Sequence, residues 1–246
     1  MPVFFVPPEC VTPPTISITG DLLGHLQDSL RVTIGEILWV GNGQGSRYRT
    51  EITDISKRAV TGLILETIQA PPRHTPDLIL GQSLLKGEKM DWVIQKASEL
   101  GISAIVPIES RHSVVQIKAD RVNHQLARWQ RIAVEAAQQS EQWRVPTITA
   151  PQIITDLLKN RPTYTVTLML TERRDGKSLQ TVALPNETTG SVLIVIGPEG
   201  GWSKEEMGLV EQAGIQPITL GPHILRAETA AIAVVSIVQS RLGSLG

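Results

Sequence analysis

The chain has one cysteine, Cys10, among 246 residues. A lone thiol builds neither a disulfide framework nor a zinc site. The five histidines (His25, His74, His112, His124 and His223) show no metal-ligand spacing, so no metal is expected. No apolar run approaches the roughly 20 residues that cross a bilayer. The longest, 192–196 and the stretch after Ala230, are broken by glycine or serine. The opening MPVFFVPPEC has no cationic leader and meets prolines at once, so it is not expected to act as a signal peptide. A cytoplasmic protein with no membrane partner follows as an expectation. Net charge is nearly absent: 23 Lys+Arg face 24 Asp+Glu, leaving −1. Proteins that grip nucleic acid by bulk charge are basic, so any RNA contact here has to use local patches. There is no G-x-S-x-G elbow, no G-x-G-x-x-G and no Walker loop, which argues against a serine hydrolase and against dinucleotide or triphosphate binding. With 41% apolar and 19% charged residues the chain is not disordered, and its length allows one large or two ordinary domains.

Three prolines in the segment 70–76 resist helix and central strand alike and mark a linker, dividing residues 1–72 from 73–246. Before it lie short strand-like runs at 37–40, 48–55 and 59–68, with a short helix at 25–31. The Gly-Asn-Gly-Gln-Gly run at 41–45 is a hairpin signal, and the grouping predicts a small β-barrel. After the linker, strands and helices alternate. Strands are expected at 78–85, 102–108, 164–170, 191–196 and 217–220. Helical spacing runs through 88–100 and 120–139, and helices follow the last two strands. This alternation predicts an α/β domain with a mostly parallel sheet covered by helices on both faces.

Chemistry-bearing residues gather where strands end. Gly197-Pro198-Glu199-Gly200-Gly201 follows the most apolar strand and leads to Ser203 and Glu206, spaced as a helix capping box. Ligands of open α/β sheets bind outside the carboxyl ends of strands, where this turn falls. A βα turn also takes glycine for steric reasons alone. A second Gly-Pro turn carries Arg226, Glu228 and Thr229 into a helix that is apolar almost all round, 230–238. Such a helix is expected to be buried on all sides, in a core or against a partner subunit. Leu170-Thr171-Glu172-Arg173 is a third strand end. Lys86 and Lys89, near a helix start that the helix dipole disfavours for cations, suit a phosphate. A local excess of base, six Lys+Arg against three Asp+Glu, spans 111–144, and its alternative reading is a solvated helix face.

Three segments in order, Lys86-Gly-Glu-Lys-Met90 with Gln95 to Gly101, Ile196 to Gly201, and Leu220 to Ala230, resemble the RsmE family. These are SPOUT-class 16S ribosomal RNA uridine N3-methyltransferases, and the resemblance runs the whole chain. It implies a PUA-like barrel at 1–72 and, at 73–246, a trefoil-knotted methyltransferase domain. It further implies a homodimer, and roles in rRNA processing and ribosome biogenesis. The cofactor implied is S-adenosylmethionine, held by Leu170, Thr171, Glu172, Ile196, Gly197, Pro198, Glu199, Gly200, Gly201, Leu220, Gly221, Leu225, Arg226, Thr229 and Ala230. Arg226 is the candidate for stabilising charge on the uracil, with Glu228 orienting it or accepting the proton. Arg31, Arg47, Arg49, Lys86, Lys89, Arg111 and Arg144 are the candidate RNA contacts. Two positions depart from the family pattern: Gln142 stands where arginine is usual, and Val3 precedes Phe4-Phe5 in place of a basic residue. Both changes remove phosphate contacts. Two other readings accompany this one: a SPOUT methyltransferase acting on another RNA, and a non-catalytic RNA-binding or ribosome-assembly protein on the same fold.

Overall fold

A computed structural model describes residues 3–160, 163–171, 176–186, 188–215 and 217–245. They form two compact units, residues 1–72 with 134–145, and 73–133 with 146–246. One division between the units falls between residues 72 and 73, and the segment 134–145 belongs to the first unit.

The first unit holds β1 (Val3–Phe5), β2 (Val11–Thr12), β3 (Thr15–Ile18), β4 (Ile37–Gly41), β5 (Ser46–Ile55) and β6 (Val60–Gln69), with a one-turn helix α1 (Asp21–Gly24) that continues into a wider turn to Ser29. The strand order is β1-β4-β5-β6-β3-β2; β1 pairs with β4 in parallel and the other pairs are antiparallel. The expected barrel is a curled six-stranded sheet. Alternation explains its inner face: Tyr48, Thr50 and Ile52 of β5 turn inward and meet Phe4, Ile16, Ile18, Leu26, Val40 and Val60. The glycine-rich hairpin closes through Asn42, whose Oδ1 accepts from the N–H of Gln44 at 2.9 Å and of Ser46 at 3.0 Å.

The second unit holds β7 (Asp77–Ser83), β8 (Ala104–Glu109), β9 (Thr147–Ile148), β10 (Gln152–Ile153), β11 (Val166–Leu170), β12 (Lys177–Ser178), β13 (Ser191–Ile196) and β14 (Pro217–Thr219). Its helices are α2 (Lys89–Glu99), α4 (Ile154–Lys159), α5 (Lys204–Gln212) and α6 (Ala227–Arg241), and α3 (Val122–Gln139) begins in it. All eight strands run parallel, in the order β10-β8-β7-β13-β11-β14-β12 with β9 beside β8. The central β7 and β13 are buried almost throughout, which is why they read as continuous apolar runs. Ile154 and Leu157 of α4 and Val210 of α5 cover one face, against Ile79, Met169, Leu193 and Val195. On the other face α6 packs on β7, β13 and α2.

Helix α6 is buried on one side within this chain. Ala227, Ala231, Val234, Val235 and Val238 are buried, but Ile237 remains 39% exposed, so the helix buries a stripe and not its whole circumference. Gln239, a polar residue 5% exposed in this stripe, donates from Nε2 to Leu100 O at 2.8 Å and Gly101 O at 3.3 Å. It satisfies carbonyls left open where α2 ends. Among the described residues no helix is long and apolar enough to cross a membrane.

Candidate active site

Strand order decides where the chemistry gathers. β13, β11 and β14 are adjacent and parallel, in register Met169↔Val195 and Leu170↔Ile218, so their carboxyl ends face one edge. The end of β11 at Leu170 and Thr171 and the turns after β13 and β14 line a cavity of about 560 Å³. Of the residues expected at a cofactor, Leu170, Thr171, Ile196, Gly197, Pro198, Glu199, Gly200, Gly201, Leu220, Leu225, Arg226 and Ala230 line it. Gly221 and Thr229 lie in the third turn and the helix start but not on the lining. Glu172, with Arg173, falls outside the described residues. Lys89, expected at RNA phosphate, lines the cavity as well.

Trp202 is the lining residue that sequence reasoning missed with most consequence. Its indole N–H donates to Leu170 O at 3.1 Å, tying the second turn to the first. Its ring packs so closely on Gly197 that a Cβ there would sit 3.1 Å from it. A Cβ on Gly200 would lie 3.0 Å from His112 Cβ. Both glycines thus answer a steric demand, Gly197 from Trp202 and Gly200 from His112. The signal was the tryptophan directly after the glycines. The expected capping box is present: Ser203 N donates to Glu206 Oε2 at 2.8 Å, and Glu206 N donates to Ser203 Oγ at 3.2 Å. Glu206 is 6% exposed, and its other oxygen accepts from Arg111 N at 3.0 Å.

Charge in the cavity is organised around Lys89. Its Nζ lies 3.0 Å from Glu199 Oε1 and 3.7 Å from Glu228 Oε1. Burial raises the Glu199 pKa, but hydrogen bonds from Lys89, from its own N–H and from Lys86 N–H outweigh it and hold the carboxyl below its ordinary value. Glu228 does not line the cavity, and its ion pair is with Lys89, not with Arg226. Its Oε2 is buried without a hydrogen-bond partner among the described residues. Arg226 occupies the residue before α6, exposed and on the cavity lining.

The remaining basic residues divide by what they touch. Arg47 is spent inside the first unit: Nη2 donates to Glu141 O at 2.7 Å and Gln142 O at 3.2 Å, and the guanidinium lies 3.9 Å from the Trp143 ring centre. Burial lowers its pKa from the ordinary guanidinium value, opposed by Glu141. Arg144 packs its guanidinium on Gly45. Arg49 pairs with Glu66 at 3.4 Å. Arg31, at a left-handed φ of 52°, is exposed, as are Lys86 and Arg111. Arg111 also makes a loose pair with Glu205 at 3.7 Å.

Comparison with known proteins follows the same division of the chain. Residues 72–239 match the model of an RNA methyltransferase domain, and residues 18–65 that of an RNA methyltransferase PUA domain. The ribosomal RNA small subunit methyltransferase E of Bacillus subtilis is 32% identical over 232 residues, 92% of this chain and 90% of that one. The chain belongs to the ribosomal RNA small subunit methyltransferase E family. Its namesake from Synechocystis is 30% identical, covering 97% of this chain and 77% of the other. The family member from Neisseria gonorrhoeae, whose crystal structure is bound to S-adenosyl methionine, superimposes with a TM-score of 0.86 at 31% identity over 98% of both chains.

Proposed function

We propose that this family member methylates uridine N3 in 16S rRNA of the small ribosomal subunit, with S-adenosylmethionine as donor. The observation that carries the reading is the convergence of three strand ends on one cavity of about 560 Å³. The lining suits the donor. Leu170, Ile196, Leu220, Leu225 and Ala230 offer apolar wall for an adenine, and the glycine turn brings backbone close. Thr171 Oγ1, buried and without a partner among the described residues, is a polar atom waiting for a ligand group. Bound there, the cofactor would supply a methyl on a sulfonium, with a neutral thioether as leaving group.

The protein's task is then the nucleophile. Uracil N3 carries a proton at neutral pH, and the base must leave its pair and stack to be reached. Arg226, on the lining at the start of α6, is suited to stabilise the anion spread over the flanking carbonyl oxygens. Glu228 serves as a positioning residue through Lys89 in this reading, because its carboxylate is engaged behind the cavity wall. Lys86 and Arg111, exposed on the same unit, and on the first the exposed Arg31 and the half-buried Arg49, are the candidates for phosphate contacts. Homodimerisation, a knotted path through the three turns and a cytoplasmic location belong to the same proposal; the half-open stripe of α6 around Ile237 is consistent with a partner.

The test is methyl transfer to 16S RNA by wild type and Arg226→Ala, with the product nucleotide identified by mass spectrometry. Loss of about 10²- to 10³-fold in kcat with S-adenosylmethionine still bound supports the role. Unchanged transfer by a folded variant removes Arg226 from the chemistry, and methyl on another nucleotide reassigns the substrate.

A further inference from the structure

We infer that His112 is a positioning residue for the cofactor pocket, acting through the two glycines of the second turn; the inference rests on the cofactor reading above. Strand β8 ends at Glu109, and the next four residues close on themselves. Ser113 N donates to Ser110 O at 3.0 Å, and the two serine hydroxyls lie 2.9 Å apart. This small turn presents its two central residues to the cavity wall. Arg111 gives its N–H to Glu206, inside the capping box of α5. His112 places Nδ1 3.2 Å from Gly200 O and 3.1 Å from Gly201 O. Both partners are carbonyls and can only accept, so Nδ1 carries the hydrogen and bridges them.

The bridge falls where the backbone most needs one. Gly200 has no Cβ, and Gly201 sits at a φ of +68°, so two successive residues carry the widest conformational freedom of the wall. A peptide unit is planar. Fixing the Gly200 carbonyl therefore fixes the plane that holds Gly201 N–H, and fixing the Gly201 carbonyl fixes the plane that holds Trp202 N–H. One ring nitrogen ties two consecutive peptide planes of the cavity wall. Gly201 N–H also donates to Pro198 O at 3.0 Å, which holds the first of these planes from within the turn. Without His112 that plane keeps one tie and the Gly201–Trp202 plane loses its own, so ordering it falls on the ligand and weakens binding. His112 does not line the cavity, so it acts on the pocket without touching what occupies it.

The experiment measures S-adenosylmethionine affinity by calorimetry for wild type, His112→Ala, His112→Asn and His112→Gln, with a thermal melt of each. An asparagine amide nitrogen stands close to the place of Nδ1, whereas glutamine reaches toward that of Nε2. Alanine and glutamine should weaken binding about five- to tenfold, as expected for the loss of one bridging hydrogen bond, and asparagine should return to within about twofold of wild type. That rescue separates positioning from bulk packing, because glutamine is the larger side chain and should not rescue. Equal affinity in all four proteins overturns the inference, and so does asparagine binding as weakly as alanine. If alanine fails to fold, the asparagine and glutamine pair decides alone. A wild type that binds no S-adenosylmethionine removes the cofactor reading itself, a failure distinct from unchanged affinity in the variants.

Discussion

Replacing Lys89 with methionine isolates the ion cluster at the cavity. The change keeps most of the aliphatic stem and removes the ammonium, leaving Glu199 and Glu228 without their shared partner. The three side chains are 34%, 26% and 16% exposed, between the surface and the interior. Exposed pairs contribute about 1 kcal/mol at most, and breaking a buried pair costs about 3–5 kcal/mol. The expected loss at pH 7 is therefore about 2 kcal/mol, or about 4–8 °C in melting temperature for a chain of this size. The pH dependence has a definite sign. The Glu199 pKa is lowered in the folded protein, so its contribution is complete above the unfolded value of about 4.3 and disappears as pH falls through the folded value. Wild type should lose stability more steeply than Lys89→Met below about pH 4, and the gap between them should narrow. Chemical denaturation from pH 7 to pH 3 reads both quantities. A gap that stays constant across that range would falsify the assignment of the stabilisation to this cluster, as would no gap at pH 7.

Arg47→Ala removes two hydrogen bonds to the 141–142 carbonyls and the stack on Trp143, and should destabilise the first unit by about 2–3 kcal/mol in urea denaturation. It should leave the salt dependence of RNA binding unchanged, because this guanidinium is already engaged. Arg111→Ala should instead reduce the slope of log K against log salt by about 1, measured by fluorescence anisotropy at several salt concentrations. Glu206→Ala withdraws an acceptor from Ser203 N and from Arg111 N together, and should cost about 2 kcal/mol by thermal denaturation. A loss below about 0.5 kcal/mol would show that the carboxylate is not the joint between the two turns.

Local pattern carried a large part of this protein. The change from short strands to alternating strands and helices is written in periodicity, and the three prolines at 70–76 mark a break that the compact units share. The capping box was legible because its two residues are three apart and bond each other. The hairpin at Asn42 was legible for the same reason. Which side of α6 is buried within the chain was not legible, since composition counts apolar residues around a helix without knowing which of them meet a neighbour.

Partnerships across long separations had no such signature. Arg47 looks like any surface arginine until the 141–143 segment closes over it, and Lys89 reads as a phosphate ligand until Glu199 and Glu228 arrive from more than a hundred residues away. His112 stood among scattered histidines, and only the placement of β8 brings it to the glycine turn. Each strand end announced a turn able to approach a ligand. That the carboxyl ends of β11, β13 and β14 share one cavity depends on β11 lying between the other two, and strand order is a property of the assembled sheet. The chemistry of each segment is therefore inherent in its residues, because capping, turning and alternation are short-range effects. Their meeting is not, because pairing between distant strands is settled by packing the whole core at once.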